Sequence, residues 1–228
     1  MLISIFKYYL TFVFICCFFT SELYAQQTLV YTDINSQYKA ATEYYELGNY
    51  SLAQYHFEQL IHKNPDVLSE LQHTQAQYYK AMCAQRLAQP DAETLFARFI
   101  DQNGSSELTG MAYFQLGKIY FEKNAYKDAM SCFEKTEPNN LASNERDDYY
   151  FQYGYSNFVS KKFDDAQRLL SKAANNYDSK YYEDANYYYG VVAYFKKDYT
   201  KALDAFKRVE KNQKYASAMP YYITLIYF

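Results

Sequence analysis

An all-α solenoid built from antiparallel helix pairs is the fold this sequence predicts, and three observations predict it. A block ordered aromatic, small, large recurs at a spacing of 33 to 40 residues through most of the 228-residue chain, and self-similarity at such a period marks a stacked-repeat architecture. There are 30 Tyr and 17 Phe against 0 Trp, 6 Gly and 4 Pro; so few turn formers beside so many aromatics disfavour a strand-and-turn sandwich. Half of the residues are apolar and 21% are charged, which excludes an intrinsically disordered chain. A formal net charge of -3 offers no electrostatic footprint for a phosphate backbone, so nucleic-acid binding is not expected.

Met1 to Ala25 reads as a secretory signal peptide rather than as part of the fold. Lys7 supplies a positive charge, Tyr8 to Phe19 is a nearly unbroken apolar run, and Leu23-Tyr24-Ala25 precedes Gln26-Gln27, the order that such segments follow. The run falls short of the ~20 residues of a spanning helix, so cleavage is preferred to a retained anchor, although Leu23 is larger than the residue usual three before a cut. Phe14 and Ile15, ahead of Cys16 and Cys17, do not form the small-residue box of a lipoprotein signal. Residues 26–33 form a linker. Export to the periplasm, or to a place at the outer membrane, is the expected localisation. Cys83 and Cys132 are then the cysteines of the mature chain; a single disulfide is arithmetically open, but small buried hydrophobes on separate helices are the preferred reading.

Residues 34–228 carry the repeat. Gly48-Asn49-Tyr50-x-x-Ala53-x-x-x-Phe57, Ala92-x-x-x-Phe96, Asn124-Ala125-Tyr126-x-x-Ala129-x-x-x-Phe133, Lys162-Phe163-x-x-Ala166-x-x-x-Leu170 and Asp198-Tyr199-x-x-Ala202-x-x-x-Phe206 align as five second helices. Ahead of them lie Ala41-x-x-Tyr44, Leu116-Gly117-x-x-Tyr120, Tyr153-Gly154-x-x-Asn157 and Tyr189-Gly190-x-x-Ala193 as first helices. This pattern resembles the tetratricopeptide repeat, a helix-turn-helix unit. Numbering one repeat from Ile34 places Ala41 at repeat position 8, Tyr44 at 11, Gly48 at 15, Tyr50 at 17, Ala53 at 20, Phe57 at 24 and Pro65 at 32, all of which fit the family. The resemblance implies a right-handed solenoid of about five pairs plus the first helix of a sixth.

Small residues at positions 8 and 20 (Ala41, Ala53; Gly117, Ala129; Gly154, Ala166; Gly190, Ala202) let two helices approach, and the large residues at 17 and 24 fill the space beside them. A helical Gly costs about 1 kcal/mol relative to Ala, so three at one position imply a packing gain that exceeds the cost. Asn49 and Asp198 suit the N-caps of second helices, and Pro90-Asp91 marks a helix start. Pro65, Asn103-Gly104, Pro138 and Asn175-Asn176 close second helices. The second pair, Tyr78-Tyr79-x-Ala81-Met82-Cys83-Ala84, has no Gly and a turn one or two residues short, leaving its register open by one residue. After Tyr215 a sixth first helix, Ala218 to Phe228, is expected to leave Tyr222, Ile223, Ile226 and Tyr227 uncovered. Repeat arrays need a soluble final cap, so the chain is expected to be the N-terminal portion of a longer one.

No catalytic constellation is visible. His56, His62 and His73 lack metal-ligand spacing, no phosphate loop or nucleophile elbow occurs, and neither a metal nor a cofactor is expected. Asp147-Asp148, Asp164-Asp165 and Glu183-Asp184 read as first-turn charge near helix starts rather than as acid/base pairs. The resemblance implies that first helices line a concave face through positions 5, 9 and 12. Position 5 carries Tyr38, Phe114, Phe151 and Tyr187, with Tyr78 or Tyr79 in the second pair; position 12 carries Tyr45, Phe121, Phe158 and Tyr194. Seven residues apart, these fall on one helical stripe, an aromatic ladder that either grips a ligand or packs first helices together. The family's clamp for peptide C-termini is not matched, since positions 5 and 9 of the first pair are Tyr38 and Thr42. The expected function is a non-catalytic envelope scaffold binding a protein or peptide; a glycan-binding module, or the interaction array of a larger protein, are the alternatives.

Overall fold

The computed structural model describes residues 34–63 and 69–228; the signal peptide, the linker and Pro65 lie outside them. The described residues are α-helical apart from turns and one short 3₁₀ segment, Pro138–Asn140. They form two compact units divided between Leu95 and Phe96. The helices are α1 (34–46), α2 (Tyr50–Lys63), α3 (Glu70–Arg86), α4 (Ala92–Gln102), α5 (Leu108–Glu122), α6 (Tyr126–Phe133), α7 (Ser143–Val159), α8 (Phe163–Ala174), α9 (Tyr182–Phe195), α10 (Tyr199–Val209) and α11 (Met219–Tyr227). Odd-numbered helices are the first members of pairs and even-numbered ones the second.

Local sequence explains where these helices begin. Ser69 accepts from the backbone N–H of Gln72, whose side chain reaches back to the Ser69 N–H, a capping box that satisfies two donors at the head of α3. Asp198 accepts from the backbone N–H of Lys201 at the head of α10. Asp164 and Asp165 open α8 and Lys172 closes it, charges matched to the helix dipole. Along α8 the buried side chains are Ala166, Leu169, Leu170, Ala173 and Ala174, one apolar stripe with helical spacing.

The turn inside each pair is the same structure five times. Gly48, Ala88, Asn124, Lys161 and Lys197 all take the left-handed conformation, with φ of 75°, 53°, 58°, 59° and 62°. The residue after each donates its N–H to the carbonyl five back: Asn49 to Tyr44, Gln89 to Ala84, Ala125 to Tyr120, Lys162 to Asn157 and Asp198 to Ala193. This bond closes the last helical turn as a Schellman motif. Placing the left-handed residue at position 15 settles the second pair, where Ala88 puts Ala81 at position 8 and Tyr78 at position 5. From there to the buried Ala92 is one residue shorter than the matching step in the other pairs. A left-handed backbone is unfavourable for any side chain beyond glycine. The double variant Lys161→Gly/Lys197→Gly is therefore expected to gain about 1 kcal/mol and to melt about 2–4 °C higher. A lower melting temperature by calorimetry would show that the two lysines contribute more than their backbone strain costs.

In the unit ending at Leu95, Ile34, Ala41, Ala53, Phe57, Leu60, Ala76 and Cys83 form a core over which Tyr38, Tyr44, Tyr45, Tyr50 and Tyr79 close. In the unit beginning at Phe96, helices α5 to α11 pack each on the next. Pair cores centre on Phe133, Leu170 and Phe206. The small residues sit where these large ones meet the neighbouring backbone. A methyl on Gly117 would lie 2.7 Å from Phe133 Cε1, one on Gly154 2.8 Å from Leu170 Cγ, and one on Gly190 2.6 Å from Phe206 Cε1. Ala41, Ala53, Ala129, Ala166 and Ala202 have no exposed surface.

Candidate interaction surface

The ladder predicted at position 5 divides into buried and half-buried rings. Phe114 and Phe151 are buried, as is Tyr78, so they present no surface to a ligand. The reason is geometric: position 5 meets the second helix of its own pair at Phe114 and Tyr38, and Phe151 is covered by Tyr181 from the loop before the next pair. Phe114 faces Phe133 with ring centroids 6.3 Å apart, and Tyr38 faces Phe57 at the same separation. Tyr38 and Tyr187 remain half-buried, and so do Tyr45, Phe121, Phe158 and Tyr194 at position 12. Each position-12 ring leans on the ring at position 17 of its pair, as in Tyr45 on Tyr50, Phe121 on Tyr126, Phe158 on Phe163 and Tyr194 on Tyr199, with centroids 5.5, 5.8, 6.5 and 6.0 Å apart.

Residues absent from the predicted ladder join these rings into a ribbon across the unit that begins at Phe96. Tyr155 touches Phe121, Tyr126, Phe158 and Tyr188; Tyr188 continues to Tyr187, Tyr187 to Tyr222, and Tyr222 to Tyr194. All are half-buried: most of these rings pack edge to face, which suits their quadrupoles, and each keeps part of its surface in water. Burial, reinforced by the Tyr155 hydroxyl beside each, pushes the phenols of Tyr126 and Tyr188 above their ordinary value; burial lifts Tyr222 to about 12. These hydroxyls stay protonated at neutral pH and can donate as well as accept.

One end of the ribbon is set by a device used twice. Tyr181 lies flat on Phe151 at 4.3 Å, and Tyr215 flat on Tyr187 at 4.2 Å. On each stacked Tyr rests the ammonium of the preceding residue, Lys180 at 4.8 Å and Lys214 at 5.2 Å. The same lysines reach an acid on the first helix, Lys180 to Asp148 at 2.6 Å and Lys214 to Asp184 at 2.7 Å. Tyr215 also donates to Asp184, and burial together with that carboxylate raises its phenol. Asp148 corrects an expectation: α7 starts at Ser143, so this acid is no first-turn charge but a buried one, 3.0 Å from Lys118 as well. Burial alone would raise its carboxyl, yet Lys180 and Lys118 more than offset that and hold it below the ordinary carboxylate range. Asp164-Asp165 and Glu183-Asp184 do occupy first turns. The recurrence of Asp, aromatic and Lys-Tyr through both pairs was readable in the sequence; the flat stacking was not.

Elsewhere in this unit, a cleft of about 420 Å³ is lined by Lys127, Met130, Ser131, Glu134, Tyr153, Asn157, Ser160, Lys162 and Asp165. Two lysines face two acids, so no net field marks it for a charged ligand. Cys83 and Cys132 are free and buried, their thiols pushed up to about 12 and 11 chiefly by burial, which leaves neither reactive as a thiolate. Among the described residues no cluster of His, Cys, Asp and Glu is arranged to hold a metal ion, and no helix is long and apolar enough to cross a membrane. The half-buried His56 stacks on Tyr44 at 5.3 Å.

Comparison with known proteins bears on the repeat itself. The family model described as tetratricopeptide repeat matches residues 38–87 and 156–218, a stretch in each compact unit. No curated protein matches the chain. Solved structures similar to it include MamA from Desulfovibrio magneticus RS-1 (15% identity, TM-score 0.57, 79% of this chain and 95% of that one). A tetratricopeptide repeat protein from Parabacteroides merdae is 11% identical, with a TM-score of 0.57 over 86% of this chain and 72% of that one. A putative kinesin light chain with TPR-like repeats from Podosopora anserina is 14% identical, with a TM-score of 0.54 over 80% and 98%. At such identities the likeness is one of fold: stacked antiparallel helix pairs. The left-handed turn, the small-on-large contact and the two matched stretches are one and the same repeat, the tetratricopeptide repeat.

Proposed function

We propose that this protein is a non-catalytic scaffold of the cell envelope, holding a protein or peptide partner on the aromatic ribbon of α5, α7, α9 and α11. The ribbon is the observation that carries the reading. It joins half-buried rings whose faces are pinned by their neighbours and whose hydroxyls can donate as well as accept. Rings already held in place lose little conformational freedom on binding, and phenols add donors that fix orientation. Export is supported by the residue order of Met1 to Ala25. A reporter enzyme active only outside the cytoplasm, fused after Gln27, should be active; an inactive fusion counts against export.

The binding reading is tested with a partner recovered by crosslinking in the native cells and then purified. A variant combining Tyr155→Phe, Tyr188→Phe and Tyr194→Phe removes three hydroxyls while keeping the packed rings. Its affinity for that partner should fall by at least about tenfold, at roughly 0.5–1.5 kcal/mol per lost hydrogen bond, with an unchanged helical circular dichroism spectrum. Undiminished affinity in this variant rejects the ribbon as the contact surface. Titration with peptidoglycan fragments should give no saturable signal; a saturable one moves the assignment to an envelope glycan module.

A further inference from the structure

Two of the left-handed turns carry a surface independent of the ribbon. Tyr222, Ile223 and Ile226 of α11, expected from the sequence to be uncovered, pack against the core of Val191, Phe206, Val209 and Met219. Outside α11, the exposed large apolar residues of the unit beginning at Phe96 are Val159, Tyr177, Phe195 and Tyr199. Three of these four flank the α7–α8 and α9–α10 turns, which read Val159-Ser160-Lys161-Lys162-Phe163 and Phe195-Lys196-Lys197-Asp198-Tyr199. The two turns meet in space. Phe195, 56% exposed, lies flat on Phe163 with ring centroids 5.5 Å apart, and Lys196 reaches back to Asp164 at 2.5 Å.

All four lysines of these turns are exposed. Lys161 and Lys197 occupy the left-handed position, which costs backbone energy that the glycine of the α1–α2 turn avoids. Among the described residues neither makes an ion pair in return. The acids nearby are already engaged, Asp164 by Lys196, Asp165 by Arg168 at 3.0 Å and Asp198 by Lys201 at 2.6 Å. Lys161, Lys162 and Lys197 are therefore a cationic excess set around exposed apolar side chains. We propose that this edge docks on an anionic phospholipid surface, with Val159 and Phe195 entering the headgroup boundary and the lysines lying against the phosphates. Two features select lipid over an acidic protein. The cations of both turns are all lysine, the basic residue that protein interfaces deplete while they enrich arginine. Apolar and aromatic side chains interleaved with lysines suit a layer that is apolar below and charged above, where each lysine stem lies along acyl chains while its ammonium stays with the headgroups.

The test is co-sedimentation of the chain from Gln26 onward, which contains every described helix, with vesicles of equal phosphatidylglycerol and phosphatidylcholine and with vesicles of phosphatidylcholine alone. Binding is expected to the first and not to the second, and it should weaken at high salt as the surface charge is screened. Lys161→Gly/Lys197→Gly, the double variant expected to melt above the parent, should bind about tenfold more weakly, a loss that unfolding would not explain. Phe195→Ala should bind weaker by about threefold or more. The ribbon variant of the preceding section should bind vesicles as the parent does. Absence of binding, equal binding to both vesicles, or binding indifferent to the lysine variant each overturns the proposal. Binding that falls with the two lysines but not with Phe195→Ala overturns the lipid assignment and leaves a charged patch suited to an acidic protein.

Discussion

Gly154→Leu is expected to destabilise the protein by about 3 kcal/mol or more, at the upper end of overpacking effects. A Cβ there already meets Leu170 at 2.8 Å through Cγ and at 3.1 Å through the backbone nitrogen. A side chain can turn aside; a backbone atom in a packed helix cannot without moving α8. The smaller change Gly154→Ala separates the two opposing effects at this site. Helix propensity favours Ala by about 1 kcal/mol, while the 2.8 and 3.1 Å contacts oppose it, and the net expectation is a loss of about 1 kcal/mol. Gly110 in α5 supplies the opposite sign, since a methyl there meets nothing closer than 3.8 Å. Gly110→Ala should therefore gain about 0.5–1 kcal/mol. For Gly190, whose contact is the rim of the Phe206 ring, combining Gly190→Ala with Phe206→Leu should cost less than the two single changes added together. Denaturant unfolding of the set reads all of this. Additive costs at Gly190 and Phe206, or a stabilised Gly154→Ala, would remove the argument that these glycines exist to seat the facing side chain.

The fold was legible because its determinants are local and periodic. Gly117, Gly154 and Gly190 announce a close approach, and Ala129, Ala166 and Ala202 place the opposite wall. The turn at position 15 was less legible, since only Gly48 carries the expected residue while Ala88, Lys161 and Lys197 adopt the same backbone; tertiary packing of the pair overrides their preference. The surface was legible in part. A stripe seven residues apart selects one face of a helix but cannot say which neighbour covers it, and so Phe114 and Phe151 were placed on a face that the structure buries. Tyr155 stands at position 9 of the implied face but is aromatic there alone, beside Thr42, Lys118 and Val191, so no ladder marked it; Tyr188 lies at position 6, outside that face, and the two become one surface only when α7 and α9 are packed side by side. Asp148 was misplaced for a related reason. A pair of acids near a presumed helix start is ordinarily solvated, and the cations that bury this one come from α5 and from the loop before α9.

That buried acid carries the second large effect. Asp148→Ala removes the partner of Lys118, whose side chain is only 19% exposed, and of Lys180, which is 66% exposed. An exposed lysine regains water, so its loss counts for little; a lysine left unpaired in the packed contact between α5 and α7 does not. The expected cost is about 2–4 kcal/mol, below the full figure for a deeply buried pair because Lys118 retains some solvent and the Phe114 ring 5.3 Å away. The pH dependence follows from the direction of the shift. The Asp148 carboxyl is held below its ordinary value of 3.8, so its contribution is complete above that pH and is lost as the pH falls through the lower folded-state value. Asp148→Asn should accordingly be less stable than the parent at pH 7, with the difference shrinking in acid as the parent itself takes up the proton. Parallel urea unfolding of the two proteins from pH 7 down to about pH 3 measures the gap directly. A gap that stays constant across that range would mean that the stabilisation comes from the shape of the side chain and not from its charge, and that Lys118 is held at the α5–α7 contact by something other than the carboxylate.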